Sequence, residues 1–123
     1  MAQRPAGGYL LDSKGRWHVN IPRKVQLMGH TVNVSVIAPK EWKHKGCVGY
    51  FDPANSLIAI KRARPSQMAH VFFHELTHAI LALMSHDLYE DETFVDSFGG
   101  LLAQALSSAK YDAPIRRKRK GNA

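Results

Sequence analysis

The chain has 123 residues, one cysteine and a formal net charge of +7 at pH 7. This length suits a single domain with a core of moderate size. The sequence contains no run of 18 apolar residues, so we expect no membrane-spanning helix. The polar N-terminus lacks the apolar stretch of a signal peptide, and one cysteine cannot form an internal disulfide. We therefore expect a cytoplasmic protein in which Cys47 is a small core residue.

The first third of the chain carries the periodicity of β-strands. Residues 1–16 are rich in glycine and polar side chains, so we expect them to form a mobile N-terminal segment. Apolar and polar residues then alternate over 17–21 and again over 31–36. A turn at 29–30 predicts that the second of these strands forms a hairpin with residues 25–27.

A second hairpin is predicted farther along the chain. The run Asp-Pro-Ala-Asn-Ser at 52–56 favours a turn, and it separates residues 48–51 from residues 57–61. Strands followed by two helices predict an α+β domain over residues 17–109, with a small, mostly antiparallel sheet packed under the two helices.

The first helix is predicted to run from Ser66, as N-cap after Pro65, to about Ser85, because this stretch holds neither proline nor glycine. His74 and His78 lie on one face of it, which we expect to line a cleft. Apolar side chains gather on the opposite face and predict burial in the core. They are Phe72, Leu76, Ala79, Ile80 and Leu83.

Residues 74–78 of this helix form the pattern H-E-x-x-H. Histidines four apart share one helix face, where both imidazoles can bind a single Zn²⁺ at ~2.0–2.1 Å. Glu75 is rotated away from that face, so its carboxylate is free to activate a zinc-bound water as general base. The alternative is an amphipathic helix whose histidines only satisfy hydrogen bonds in the core.

A catalytic zinc usually takes three protein ligands. The metzincin class is excluded, because Leu81 and Met84 stand where it needs glycine and histidine. An acidic cluster instead opens a second predicted helix, which runs through residue 106. Glu92 and Asp96 share one face of it, so Glu92 could bind zinc while Asp96 accepts the other ring N–H of a ligating histidine.

H-E-L-T-H-A-I at 74–80, followed by E-x-x-x-D at 92–96, resembles the gluzincin branch of the zincin metallopeptidases. The small size is similar to that of minimal single-domain gluzincins, and residues 92–102 are similar to small phage-type metallopeptidases that act on repressors. The resemblance covers about residues 46–106. It implies one Zn²⁺, with His74, His78 and Glu92 as ligands, Glu75 as general base and Asp96 orienting an imidazole.

Two features depart from that family. The connection from His78 to Glu92 is shorter than in its large members, and no downstream helical domain supplies their transition-state-stabilising histidine or tyrosine. The cleft is therefore expected to be open. Candidates for the stabilising role are Tyr50, His86, Tyr89 and Tyr111.

The same resemblance implies that an edge strand of the sheet lies along the cleft and pairs with the backbone of a substrate. The alternative is an ordinary sheet strand. The candidate residues are Cys47, Val48, Gly49, Tyr50 and Phe51.

The positive charge is concentrated in a basic C-terminal tail at 110–123, which contains Arg116, Arg117, Lys118, Arg119 and Lys120. Such a run is either solvated or contacts nucleic acid as an accessory property. We expect a monomer with a peptide or protein substrate and no membrane partner. Two functions follow: a zinc-dependent endopeptidase, or a non-catalytic zinc-stabilised basic module that binds nucleic acid or protein.

Overall fold

The computed structural model of the protein describes residues 9–11, 13–15 and 17–112. Within them, six strands precede two long helices, and short 3₁₀ helices lie at Pro39–Glu41 and Asp87–Glu90. The strands are β1 (Tyr9–Leu11), β2 (Trp17–Val19), β3 (Lys24–Leu27), β4 (His30–Ile37), β5 (Gly49–Asp52) and β6 (Leu57–Lys61). The helices are α1 (Pro65–Leu83) and α2 (Glu92–Ser108). Neither has the length and apolar character needed to cross a membrane.

The chain is an α+β protein built on a small mixed four-stranded sheet with the order β3-β4-β6-β5. Both predicted hairpins are present, since β3 pairs antiparallel with β4 and β5 pairs antiparallel with β6. β6 lies between β4 and β5, and its pairing with β4 is parallel. This order places β5 at an edge of the sheet.

The predicted strand at 17–21 lies elsewhere. Trp17–Val19 pairs with Tyr9–Leu11 in a separate two-stranded sheet, and β1 is a strand that the sequence analysis did not predict. Tyr9–Leu11 belongs to the segment that we expected to be mobile; residues 1–8 of that segment lie outside the described residues. The basic run at 116–120 lies outside them as well.

Helix α1 begins two residues earlier than predicted. Arg64 is the N-cap, no side chain caps the helix there, and the prediction of Ser66 as N-cap is wrong. Pro65 occupies the first turn because its fixed φ and missing N–H suit that position. The helix then runs to Leu83, as the absence of proline and glycine predicted.

Helix α1 is the centre of the fold. The sheet packs on it from one side and α2 from another, so its burial extends beyond the predicted apolar face. Phe72 and Ala79 are buried as predicted, whereas Leu76 is only partly buried. Further buried side chains on α1 include Ala69, Val71, Phe73 and Leu81.

The two helices approach most closely at Gly99 of α2. A Cβ at this position would lie 2.9 Å from the backbone N and Cα of His74 and 3.0 Å from the carbonyl oxygen of Phe73. Only a residue without a side chain allows this approach. Because Glu92 and Asp96 lie on the turns of α2 just before Gly99, the approach carries their carboxylates over the histidines of α1.

We expect Gly99→Ala to separate the two helices. The clash is with backbone, so overpacking should lower the free energy of unfolding by about 1–3 kcal/mol and exceed the ~1 kcal/mol that alanine adds to helix stability. Chemical denaturation of the metal-free protein measures this change.

Gly100→Ala is the matched control. A Cβ there would meet only the ring of His70, with Cε1 at 3.1 Å and Nδ1 at 3.7 Å, and that ring can move. The control should be neutral or slightly stabilising. Equal stability of the two variants would show that the helix contact does not depend on Gly99.

Candidate metal centre

Three side chains converge between α1 and α2. Nε2 of His74 lies 3.1 Å from Oε2 of Glu92, and Nε2 of His78 lies 2.9 Å from Oε1 of the same carboxylate. One ligand atom from each of the three residues lies within 4.8 Å of the others. Ligands bound tetrahedrally to one zinc are separated by roughly 3.3 Å, so this group has the size of a zinc site.

The second nitrogen of each imidazole is also engaged. Nδ1 of His78 lies 2.7 Å from the carbonyl oxygen of Tyr89, and Nδ1 of His74 lies 3.3 Å from Oδ1 of Asp96. A carbonyl oxygen only accepts, so Nδ1 of His78 must donate. In a metal site, acceptors of this kind hold the ring in place and leave Nε2 as the ligand atom.

All four ring nitrogens of His74 and His78 therefore face oxygen acceptors. A neutral imidazole has one donor and one acceptor nitrogen, so one of its two contacts is unfavourable unless a second proton or a cation lies between the facing atoms. A metal ion beside Glu92 removes this conflict for both rings at once. The donor set of two imidazoles and one carboxylate also fits zinc.

Asp96 contacts a second histidine. Its Oδ1 atom lies 3.5 Å from Nε2 of His70, one turn before His74 on α1, and both His70 and Asp96 are at least half exposed. Asp96 thus lies where the sequence analysis expected an acceptor for a ligating histidine. His70 was missed, although its spacing of four from His74 places it on the same helix face.

Glu75 lies beside the three converging residues but does not join them. Its side chain is buried, and this desolvation raises the pKa of its carboxyl above the ordinary value of 4.5, against the opposing effect of His74 and His78. The carboxylate accepts a hydrogen bond from the backbone N–H of Phe51 in β5. Glu75 is therefore fixed between the histidines and the edge of the sheet.

The five residues at 47–51 line the same cleft, which has a volume of about 600 Å³. The N–H of Lys61 donates to the carbonyl of Val48, so Val48 faces β6 and the backbone groups of Gly49 and Phe51 face away from it. A Cβ on Gly49 would collide with the side chain of Val71. Glycine thus lets α1 lie close to the free edge of β5.

The other predicted residues divide into two groups. Tyr50 and Tyr89 line the cleft, whereas His86 caps the 3₁₀ helix by accepting from the N–H of Leu88, and Tyr111 is not among the described residues of the cleft wall. Cys47 is exposed, so the expectation of a core residue is wrong. Its place in the turn before β5, rather than within the strand, explains this exposure.

Comparisons of the chain with protein families, with curated proteins and with solved structures find no match. The assignment of a function therefore depends on the geometry of the cleft.

We expect Glu92 and Asp96 to differ in a zinc titration. Glu92→Ala removes a carboxylate that touches both Nε2 atoms and should largely empty the site. Asp96→Ala leaves both imidazoles and the Glu92 carboxylate in place. It should weaken zinc binding by ~10–100-fold, as is typical when the partner of a ligating histidine is lost.

Glu90→Ala provides the charge-matched control, because Glu90 lines the cleft without contacting either histidine in the described structure. It should change zinc affinity little. If Asp96→Ala empties the site while Glu92→Ala retains zinc, the roles of the two carboxylates are reversed.

Proposed function

We propose that the protein is a zinc-dependent endopeptidase of the gluzincin type. The observation that carries this proposal is the convergence of His74, His78 and Glu92 beside a buried carboxylate that stays out of the group. Structural zinc sites are usually closed by four protein ligands, whereas three ligands and a nearby carboxylate suit catalysis. The zincin-like architecture is part of the same proposal.

A zinc ion held there would supply a Lewis acid for the scissile carbonyl and for the attacking water. Glu75 takes the proton of that water and then delivers it to the leaving amine. Its burial beside His74 and His78 supports this role, because it places the carboxylate next to the position of that water. The N–H of Phe51 holds the carboxylate at the level of the strand edge.

The edge of β5 is the proposed binding surface for the substrate backbone. Gly49 directs its backbone N–H and C=O away from β6, and Phe51 directs its C=O the same way, so an extended peptide can pair with these groups by β-augmentation. A peptide held there passes directly beside Glu75. Tyr50 and Tyr89 are the remaining candidates in the cleft for stabilising the developing oxyanion.

A non-catalytic, zinc-stabilised module is the alternative function, and the chain's charge of +7 is what favours it. The two functions respond differently to a chelator. The endopeptidase loses hydrolysis when zinc is removed, while the module loses structure or binding without having cleaved any peptide. The buried Glu75 favours the enzyme, because a purely structural site gains nothing from a buried carboxylate that lies beside the three ligands without being one of them.

We expect Glu75→Gln to abolish peptide hydrolysis while zinc content and fold are kept. General-base catalysis supplies roughly 10²–10⁴-fold in rate, and among the described residues of the cleft no other carboxylate is buried beside the histidines. Metal analysis together with a peptide-cleavage screen measures both properties.

Glu90→Gln is the control, since it makes the same chemical change on the exposed wall of the cleft. It should cleave nearly as fast as the wild type. Hydrolysis by Glu75→Gln at the wild-type rate would exclude the proposed mechanism.

A further inference from the structure

A second, basic pocket adjoins the candidate metal centre. It is lined by residues 42–48 and by Lys61 of β6. Lys43, Lys45 and Lys61 contribute three positive charges, and none of the described residues that line it is acidic. The cleft of the metal centre has the opposite character, because its described lining includes four carboxylates and no lysine or arginine.

Hydrogen bonds and a ring contact brace the loop that forms this pocket. The indole N–H of Trp42 donates to the carbonyl oxygens of His44, at 2.9 Å, and Cys47, at 3.0 Å, so the intervening residues curl around the ring. The His44 ring packs against Tyr50 of β5 with 4.6 Å between ring centroids. Such a loop presents its side chains at a low entropic cost of binding.

The three lysines are available for a ligand. Lys43 and Lys45 are exposed and Lys61 is partly exposed. None of them forms an ion pair within the part of the chain that the structure describes. Their charges are therefore not neutralised by any of the described residues.

The two cavities share a wall. Cys47 and Val48 line both of them, immediately before β5 begins at Gly49. A peptide that pairs with the free edge of β5 and extends beyond Gly49 thus reaches the basic pocket. At a rise of about 3.3 Å per residue, the pocket is roughly two to four residues away from the position beside Glu75.

We infer that the basic pocket is a specificity subsite that selects substrates with acidic residues on one side of the scissile bond. This inference rests on the proposed function and adds a substrate class to it. Gly49 lies against Val71 and Phe51 against Glu75, so β5 advances along α1 towards the turn that carries His78. Tyr89, which accepts from His78, and Glu90 line this side of the cleft. Acidic side chains are disfavoured there, so the preference is confined to one side.

Binding of peptides to the zinc-loaded Glu75→Gln protein tests the inference, because this variant holds a substrate without consuming it. The probes are labelled extended peptides of equal length, with a pair of Glu or a pair of Gln placed on either side of the central bond. Fluorescence anisotropy gives their affinities. The Glu pair should strengthen binding on one side only, and added salt should reduce this preference.

Lys43→Ala combined with Lys45→Ala should weaken binding of the preferred peptide about fivefold, as expected for two exposed ion pairs, and leave the Gln peptide unchanged. Lys24→Ala combined with Lys110→Ala removes the same charge outside both cavities and is the control. Equal binding of Glu and Gln peptides overturns the inference, as does equal loss in the two double variants. The inference is also overturned if a single-stranded oligonucleotide binds at the basic pocket more tightly than the Glu peptide does.

A parallel cleavage assay with the wild-type protein separates the two proposals. Cleavage without any preference for acidic residues supports the proposed endopeptidase activity and contradicts the proposed subsite. A lysine-dependent preference in binding, with no cleavage of any peptide, keeps the acidic-peptide subsite and overturns the endopeptidase.

Discussion

The contact between α1 and α2 at Gly99 is the constraint on which the candidate site depends. Two helices with ordinary side chains at their crossing are separated by 8–10 Å, and a glycine permits a closer approach. Here the backbone of His74 lies against Gly99, so the histidines on α1 and the carboxylates on α2 meet with short side chains. Glu92 and Asp96 belong to the same helix as Gly99, so a change at this contact would displace both carboxylates together.

Hydrogen-bond acceptors set the orientation of the two imidazole rings. Acceptors lie on both sides of each imidazole, with the Tyr89 carbonyl and Asp96 behind the rings and Glu92 in front. Protein groups alone do not satisfy this arrangement when both histidines are neutral. A second ring proton, or a cation between the Nε2 atoms and Glu92, would remove this mismatch, and the buried Glu75 carboxylate lies beside that position.

The features of the fold and site that could be predicted from sequence are those that depend on neighbouring residues in the chain. The two hairpins follow from turn residues and alternation, and the histidine pair follows from helical periodicity. The parallel pairing of β4 with β6 could not, because it joins segments that are distant in sequence and no turn signal links them. Neither could the Tyr89 carbonyl, since every residue carries that group and only the tertiary fold brings this one to His78.

The hydrogen bond between Glu75 and the Phe51 N–H also bears on the solubility of the protein. An unpaired strand edge is a template for pairing with a second copy, and proteins protect such edges with short strands and inward-pointing charges. β5 has only four residues, and a carboxylate occupies one of its outward N–H groups. The edge is consequently open to an extended chain that lies along the cleft, yet poorly suited to the long, continuous ladder through which identical sheets aggregate.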